Sequence, residues 1–404
     1  MVFCKRGLCP LVLTLLVPGA YGEFNASVGV ETWAFAHEGA AGQDRLDVAA
    51  SAEPEYRTEW NHGDDRLVFE GFLRLDGQDS ERTHGDLRSL YWHHLAADWD
   101  LRVGLDRVFW GVTEFTNPAD MVNQTDLVED PDGDAKLGQP MIRWTWLATH
   151  GTLDVLALPG FRERTFAGED GRFRTIPPVN ADAAQYESGA HRHRLDGAIR
   201  YRFTWQQTDW ALSHFSGTSR DPVLVPRLTP SGAEIIPYYP VIDQTALTLQ
   251  SARGRWLWKL EAVSASGPVD RHTTATGGFE VTQYNVAETG WDIGWITEYL
   301  FDDRRDDMLV PFERDWFFGA RWQLNDIQSS EALFGVVWDP VTEERIFSLE
   351  ASRRLGRHYS LDLEARVFTG GEGLSASTPT ISSDNKLGYL QRDDYLRVQV
   401  SRYF

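Results

Sequence analysis

The sequence contains only two cysteines, Cys4 and Cys9, and both lie in its first ten residues. The rest of the chain therefore has no disulfide, no thiolate nucleophile and no cysteine-ligated metal site. It also lacks a run of about 20 apolar residues, the length that a membrane-spanning helix requires. Lysine is scarce, since only Lys136, Lys259 and Lys386 follow residue 22, and the net charge is −21. Such a charge disfavours a nucleic-acid partner.

The amino-terminal segment has the pattern of a secretory signal. Lys5 and Arg6 precede an apolar run at 11–17, and small residues follow that run. The run is too short to span a bilayer. We therefore predict a signal peptide over residues 1–22 and one mature domain over 23–404. Removing the signal changes the net charge to −23, because it takes away two basic groups and no acidic group.

Apolar and polar residues alternate along most of the mature chain. A period of two indicates a β-strand with one apolar and one polar face. Most of these segments are 10–14 residues long, which suits a tilted bilayer crossing better than the globular average of about five or six. The eighteen segments lie near 24–36, 46–60, 64–76, 86–97, 99–109, 138–149, 151–161, 190–205, 207–216, 240–252, 255–266, 275–287, 291–302, 314–325, 330–339, 343–355, 358–369 and 391–404.

The connections between these segments alternate in length. Every second one is short, and the others include long segments rich in Asp, Glu, Gly, Pro and Thr. This alternation is typical of a membrane barrel with short periplasmic turns and long outer loops, and a β-sandwich has no reason to keep it. We predict an all-β fold, a closed antiparallel transmembrane β-barrel of about 18 strands. Sixteen strands are the alternative, because the outer connections 37–45 and 340–342 are short. The long connections are 110–137, 162–189, 217–239, 303–313 and 370–390.

The last segment ends in Phe404 after an alternating apolar series, Leu396, Val398 and Val400. In lipid the final strand must pair with the first, since an open edge would leave polar backbone groups in hydrocarbon. The segment resembles the final strand of Gram-negative outer-membrane β-barrels. The resemblance implies an outer-membrane location, insertion by the barrel-assembly machinery and a role for Phe404 in barrel closure. Arg402 departs from the apolar pattern and is expected near the membrane rim, where it can snorkel.

A second resemblance involves the stretch 111–138 together with its flanks, GLDRVFWG at 104–111 and KLGQPM at 136–141. This stretch is similar to proteobacterial porin-like outer-membrane proteins, in which a strand end rich in glycine and aromatic residues leads into a loop containing Asn-Pro and Asp. The resemblance implies a porin-type channel and names no solute.

The polar face of the predicted barrel lines its lumen and carries many arginines. In the segment 190–205, Arg192, Arg194, Arg200 and Arg202 lie on the face opposite the apolar one. Guanidinium groups bind carboxylate and phosphate through paired hydrogen bonds. We predict that this row guides anionic solutes, and pairing with acids across strands remains the alternative. The other pore-lining candidates are Arg102, Arg143, Lys259 and Arg321.

The segment 110–137 is acidic and is the candidate constriction loop. If it folds into the barrel opposite the arginines, it narrows the pore and creates a transverse field that sorts solutes by charge. A solvated outer loop is the alternative. The candidate residues of the constriction are Asp120, Asp126, Glu129 and Asp130.

The predicted function is an outer-membrane porin or substrate-selective channel for the passive diffusion of small hydrophilic, anionic solutes. An outer-membrane port of an export or assembly system is an alternative. A soluble lectin is another, since 16 Trp, 13 Tyr and 21 Phe suit either membrane girdles or sugar binding. No nucleophile elbow, zinc helix or phosphate-binding loop is present, so no enzyme activity, cofactor or metal is predicted. The expected partners are outer-membrane lipid, lipopolysaccharide and small solutes, with a homo-oligomer left open.

Overall fold

The computed structural model describes residues 21–230, 232–267, 270–306, 310–373 and 384–404. The predicted signal peptide lies outside the described residues as far as residue 20. No helix within these ranges is long and apolar enough to cross a bilayer. The strands of these ranges are β1 Tyr21–Phe35, β2 Leu46–Trp60, β3 Asp65–Asp76, β4 Gly85–Leu95, β5 Trp99–Asp106, β6 Gln139–Ala148, β7 Gly151–Pro159, β8 Gln185–Tyr186, β9 Leu195–Trp205, β10 Thr208–Thr218, β11 Val223–Thr229, β12 Gly232–Tyr239, β13 Val241–Arg253, β14 Trp256–Ala265, β15 His272–Gln283, β16 Asp292–Asp302, β17 Arg314–Gln323, β18 Glu331–Trp338, β19 Arg345–Leu355, β20 Tyr359–Thr369 and β21 Tyr395–Tyr403.

Eighteen strands form one large sheet, and β8, β11 and β12 form a separate small sheet. Neighbours in the large sheet pair antiparallel, and the first strand also pairs with the last. In that pairing Ser27 lies opposite Tyr403, and Phe35 lies opposite Tyr395. The large sheet therefore has no open edge and closes into a barrel. The prediction of an all-β, closed antiparallel barrel of about 18 strands is confirmed.

The two faces of the barrel wall differ as the alternation predicted. Leu75 and Leu212 point outward and are 70% and 56% exposed. Arg74 and Ser213, their neighbours along the strands, point inward and are buried. Arg402 is on the outward face, where its guanidinium lies 4.5 Å from the centre of the Phe404 ring. An apolar outer face around a polar inner face is the arrangement of a barrel in a bilayer.

Phe404 lies at the seam between the first and last strands, where its backbone N–H donates to the carbonyl of Ala26 at 3.0 Å. We expect Phe404→Ala to lower the amount of folded barrel in outer membranes several-fold, because the ring supports the end of the closing strand. The measurement is the heat-modifiable band on gels of membrane fractions. Tyr284→Ala, which removes an exposed aromatic ring from a turn, is the control and should leave the yield unchanged. Equal yields of the Phe404 variant and the parent chain would contradict the closing role.

The connection predicted as a loop over 217–239 contains a hairpin instead. β11 and β12 pair from Val223 opposite Tyr238 to Thr229 opposite Gly232. Pro226 lies in the middle of β11, and proline argues against a central strand because it lacks a backbone donor. β11 pairs on one side only among the described residues, so it is an edge strand, which tolerates proline.

The strand predicted over 190–205 begins later, at Leu195. Residues His191–His193 form a 3-10 turn, and His191 has a φ of 52°. The chain therefore turns before it enters the sheet. Arg192 and Arg194 precede the strand, which corrects the prediction that four arginines project from one strand; only Arg200 and Arg202 do so.

Candidate functional site

Residues 107–138, which connect β5 to β6, lie inside the barrel, and we call them the inner loop. Glu129 of the loop pairs with Arg74 of β3 at 2.7 Å. Glu114 of the loop pairs with Arg321 of β17 at 2.6 Å. Because β3 and β17 lie far apart in the order of pairing, the loop crosses the lumen. The alternative of a solvated outer loop does not describe this segment.

One part of the inner loop packs on apolar side chains of the barrel's inner wall. Trp110 and Val122 of the loop share a buried cluster with Met141, Leu158 and Phe215 of the wall. Burial of each large side chain contributes roughly 1.5–3 kcal/mol. This side of the lumen is therefore filled with a hydrophobic core. The uninterrupted apolar sequence at 155–158 is a signal for it, because such a strand has apolar residues on both faces.

Glu261 of β14 is fully buried, and its side chain binds backbone groups of the inner loop. Its carboxylate accepts hydrogen bonds from the backbone N–H groups of Val112 at 2.6 Å, Thr113 at 3.0 Å and Ala119 at 3.0 Å. The hydroxyl of Thr113 also donates to it, at 2.8 Å. Hydrogen bonds to a charged group contribute roughly 1.5–3 kcal/mol each. Glu261 is therefore an anchor of the loop, a role that sequence reasoning missed.

Glu298 of β16 is a second anchor. Its carboxylate accepts hydrogen bonds from the backbone N–H groups of Glu114 at 2.7 Å and Phe115 at 3.0 Å. The ring of Phe115 stacks on Phe317 of β17, with ring centres 5.2 Å apart. Polar and apolar contacts thus hold the same part of the loop against the far wall.

Two of the predicted constriction acids fasten the loop to the near wall. Asp126 is buried and pairs with Arg88 of β4 at 2.6 Å. Glu129 is buried and pairs with Arg74, as described above. Because their charges are neutralised at these contacts, neither residue presents a free carboxylate to a solute.

The other two predicted constriction acids, Asp120 and Asp130, differ in their access to the lumen. Asp120 accepts a hydrogen bond from the Trp110 backbone N–H at 3.1 Å and lies 3.7 Å from the ammonium of Lys136. Burial raises the pKa of Asp120 to about 6. Asp130 lines the open part of the lumen. Partial burial and the neighbouring Asp132 carboxylate raise the pKa of Asp130 well above its ordinary value.

The predicted basic residues lie mostly on the inner wall, and most have acidic partners. Arg143 and Arg202 both bind Asp154, at 3.0 Å and 3.1 Å. The guanidinium of Arg200 lies 5.4 Å from the centre of the Trp110 ring. Arg192 is exposed beyond the outer end of the strand. The remaining pairs are Arg102 with Asp106 at 3.0 Å, Lys259 with Glu114 at 3.3 Å, Arg321 with Glu114, and Arg194 with Asp196.

A cavity of about 410 Å³, which we call the passage, lies between the inner loop and the inner wall formed by β17–β21. Its charged lining consists of eight carboxylates and two guanidinium groups. The guanidinium groups are those of Arg321, paired as above, and Arg397, which binds Glu31 at 3.1 Å and Glu364 at 3.0 Å. The carboxylates are those of Glu114, Asp130, Asp132, Asp134, Glu331, Glu350, Asp362 and Glu364. The passage is therefore strongly acidic.

Three carboxylates that the wall contributes to the passage lie close together on β19 and β20. Glu350 lies opposite Glu364 across the pair of β19 and β20, and Asp362 lies two residues from Glu364 along β20. From the loop, Asp130 and Asp132 bring carboxylate oxygens to within 4.8 Å of a Glu364 oxygen. Such closely spaced like charges favour cations between them. The period of two places Glu350 on the inward face, and that signal was available in the sequence.

No protein-family model matches the sequence, and no curated protein sequence matches it. The fold is nevertheless similar to solved outer-membrane proteins. A BenF-like porin from Pseudomonas fluorescens Pf-5 is 9% identical with a TM-score of 0.54, over 95% of this chain and 98% of that one. OccD3 (OpdP) of Pseudomonas aeruginosa is 8% identical with a TM-score of 0.52, over 95% and 90% of the two chains.

A third similar structure is Wzi of Escherichia coli, described as a carbohydrate-binding β-barrel involved in group 1 capsule assembly. It is 9% identical with a TM-score of 0.52, over 94% of this chain and 84% of that one. Identities this low show a shared fold alone. The chain therefore has the fold of the outer-membrane porins, a closed barrel whose apolar outer face lies in that membrane.

Proposed function

We propose that this chain is a porin-type channel for passive diffusion across the outer membrane, and that its passage favours small hydrophilic cations. The observation that carries the cation preference is the lining of the passage, in which eight carboxylates outnumber two guanidinium groups. Carboxylates in a narrow lumen raise the local concentration of cations and lower that of anions. Arg321 and Arg397 each offset one carboxylate of this lining, Glu114 and Glu364, and Arg366 pairs with Glu350 at 3.0 Å. The carboxylates still outnumber these three guanidinium groups, so the passage keeps a net negative charge.

The anion preference expected from the arginine row has less support. Arg143 and Arg202 share the carboxylate of Asp154, and Arg200 lies beside Trp110. None of the three arginines lines the passage beside β17–β21. If that row guided anions, replacing Arg200 and Arg202 by Glu would shift selectivity more than any change in the acidic passage.

The test of the proposal is the reversal potential of the purified protein in a planar bilayer under a KCl gradient. We expect the sign that indicates a higher permeability for K⁺ than for Cl⁻. Anion selectivity would overturn the cation preference and would indicate that the arginine row sets the selectivity. A folded barrel without conductance would overturn the channel and favour the export-port alternative.

The selectivity should also depend on pH. Because the pKa of Asp130 is raised, its carboxyl takes up a proton at a pH where ordinary carboxylates stay charged. Below that pKa the passage has one negative charge fewer, so the cation selectivity should be lower at a pH below the pKa of Asp130 than at a pH above it. Asp130→Asn should show the lower selectivity at both pH values. A variant with the same pH profile as the parent chain would contradict this role of Asp130.

A further inference from the structure

A small cavity of about 30 Å³ lies where four parts of the chain meet, and we call it the junction cavity. The four parts are the ends of β1 and β2 next to the connection 36–45, the connection between β3 and β4, the inner loop, and the connection between β7 and β9. The junction cavity and the passage share no lining residue among those described. A water molecule requires roughly 10–15 Å³. The junction cavity therefore holds about two groups of that size.

Two acceptor oxygens in the lining of the junction cavity have no hydrogen-bond partner within the described ranges. They are Oδ1 of Asp47 and Oε1 of Gln78, and both atoms are buried. The Asp47 residue as a whole is only 6% exposed. Buried polar groups are normally hydrogen-bonded, because an acceptor that leaves water without gaining a donor is unfavourable. The junction cavity therefore suits an occupant that donates hydrogen bonds.

The side-chain donors in the lining are already used by other groups. Every guanidinium nitrogen of Arg82 donates elsewhere, and so does every one of Arg172. The indole N–H of Trp33 donates to Glu31 at 3.0 Å, and the amide nitrogen of Gln78 donates to a backbone carbonyl at 3.1 Å. What these side chains offer to an occupant is therefore acceptors, which an anion does not suit.

The junction cavity also has a surplus of negative charge. The guanidinium of Arg82 is shared by three carboxylates, and it lies 2.8 Å from Glu31, 3.0 Å from Asp76 and 3.6 Å from Asp47. Asp47 is the most distant of the three, so this guanidinium compensates its charge least. Asp79 lines the cavity as well, and its buried carboxylate accepts hydrogen bonds from uncharged backbone N–H groups. A donor with a positive charge is therefore favoured over a neutral one.

We infer that the junction cavity binds an ammonium ion. Ammonium is about as large as a water molecule, carries a positive charge and donates directed hydrogen bonds to both free oxygens. Potassium is similar in size and charge, but it needs a shell of several oxygens, whereas Leu127, Val128 and Phe173 give this cavity an apolar wall. A bound ammonium contacts the barrel wall, the inner loop and the outer connections together. It therefore stabilises the attachment of the inner loop.

The test is trypsin cleavage after Arg172 in the purified full-length mature protein. Arg172 lines the junction cavity and is buried, so cleavage requires that the junction opens. We expect ammonium chloride to slow this cleavage several-fold relative to choline chloride at the same ionic strength, because choline is too large for the cavity. Asp47→Asn removes the charge and supplies a donor, so it should abolish the difference. Asp44→Asn, the same change at an exposed acid nearby, is the matched control and should keep the difference.

A second measurement locates the ion in the unaltered chain. Crystals soaked in thallium(I), an ion close to ammonium in size with a strong anomalous signal, should show a peak in the junction cavity that added ammonium chloride removes. Gln78→Met, which removes the other acceptor, is the second variant should Asp47→Asn fail to fold, and it should also abolish the difference.

Equal cleavage rates in ammonium and choline chloride, together with no thallium peak, would mean that water fills the cavity and would overturn the proposal. Protection by potassium chloride as strong as that by ammonium chloride would overturn the choice of ammonium. The reversal potential of the channel is a separate readout, because the junction cavity lies apart from the passage. A failure of the ammonium site would therefore leave the proposed channel function intact.

Discussion

Single-channel conductance should rise by roughly two- to threefold when Glu261 and Glu298 are both replaced by Ala, because conductance follows the cross-section of the narrowest part of the pore. The two carboxylates accept the backbone N–H groups of the inner loop from Val112 to Ala119. Without these acceptors the N–H groups remain buried and unpaired, at a cost of roughly 1–3 kcal/mol each. This part of the loop is then more stable in water than against the wall.

The measurement is the conductance distribution in planar bilayers, with trypsin sensitivity of the inner loop as an independent readout. Glu280→Ala is the matched control, since Glu280 also faces the lumen but only approaches Arg321, at 3.9 Å, and binds no backbone group of the loop. Asp126 and Glu129 keep the other end of the loop attached to β3 and β4. Unchanged conductance together with unchanged trypsin resistance would show that the two carboxylates are not the anchors.

Neutralising Glu350 and Asp362 should lower the cation selectivity of the channel. Both line the passage, and each lies next to Glu364 in the strand register, one across the strand pair and one along the strand. Glu350→Gln with Asp362→Asn keeps the side-chain volume and removes two of the eight carboxylates. We expect the permeability ratio of K⁺ to Cl⁻ to fall by about two- to threefold, because a narrow pore concentrates cations in proportion to its fixed charge.

The control for this variant changes the net charge by the same amount elsewhere. Glu169→Gln with Asp170→Asn neutralises two exposed acids in the connection between β7 and β9, and its reversal potential should equal that of the parent chain. Similar shifts in both variants would mean that overall charge, and not the passage, sets the selectivity. The effect should be larger at low ionic strength, where screening is weaker.

The barrel itself was predictable from the sequence. All eighteen predicted segments correspond to strands of the large sheet, because a period of two and the length of each connection are properties of neighbouring residues. The two errors in the strand prediction also arose from neighbouring residues. Pro226 argued against the strand in which it lies, and the turn at His191 was hidden in a segment that otherwise alternates.

The charge of the passage could not be predicted in the same way. The arginines on the polar face were visible, but whether each remains free depends on partners distant in sequence. Arg74 and Glu129 are 55 residues apart, and Val112 and Glu261 are 149 apart. Sequence alternation assigns a residue to a face of the wall, and it contains no information on which charges of that face meet.

The sequence by itself determined the closed barrel, its strand number to within two and its apolar outer face, because each depends on a repeat that neighbouring residues carry. The tertiary structure decided on which side of the lumen the inner loop packs and which carboxylates are left to line the passage. The physical reason is that charge neutralisation is a property of contacts across the barrel. Asp126 meets Arg88 and Glu129 meets Arg74, while Glu350 and Asp362 line the passage, although Arg366 lies 3.0 Å from Glu350.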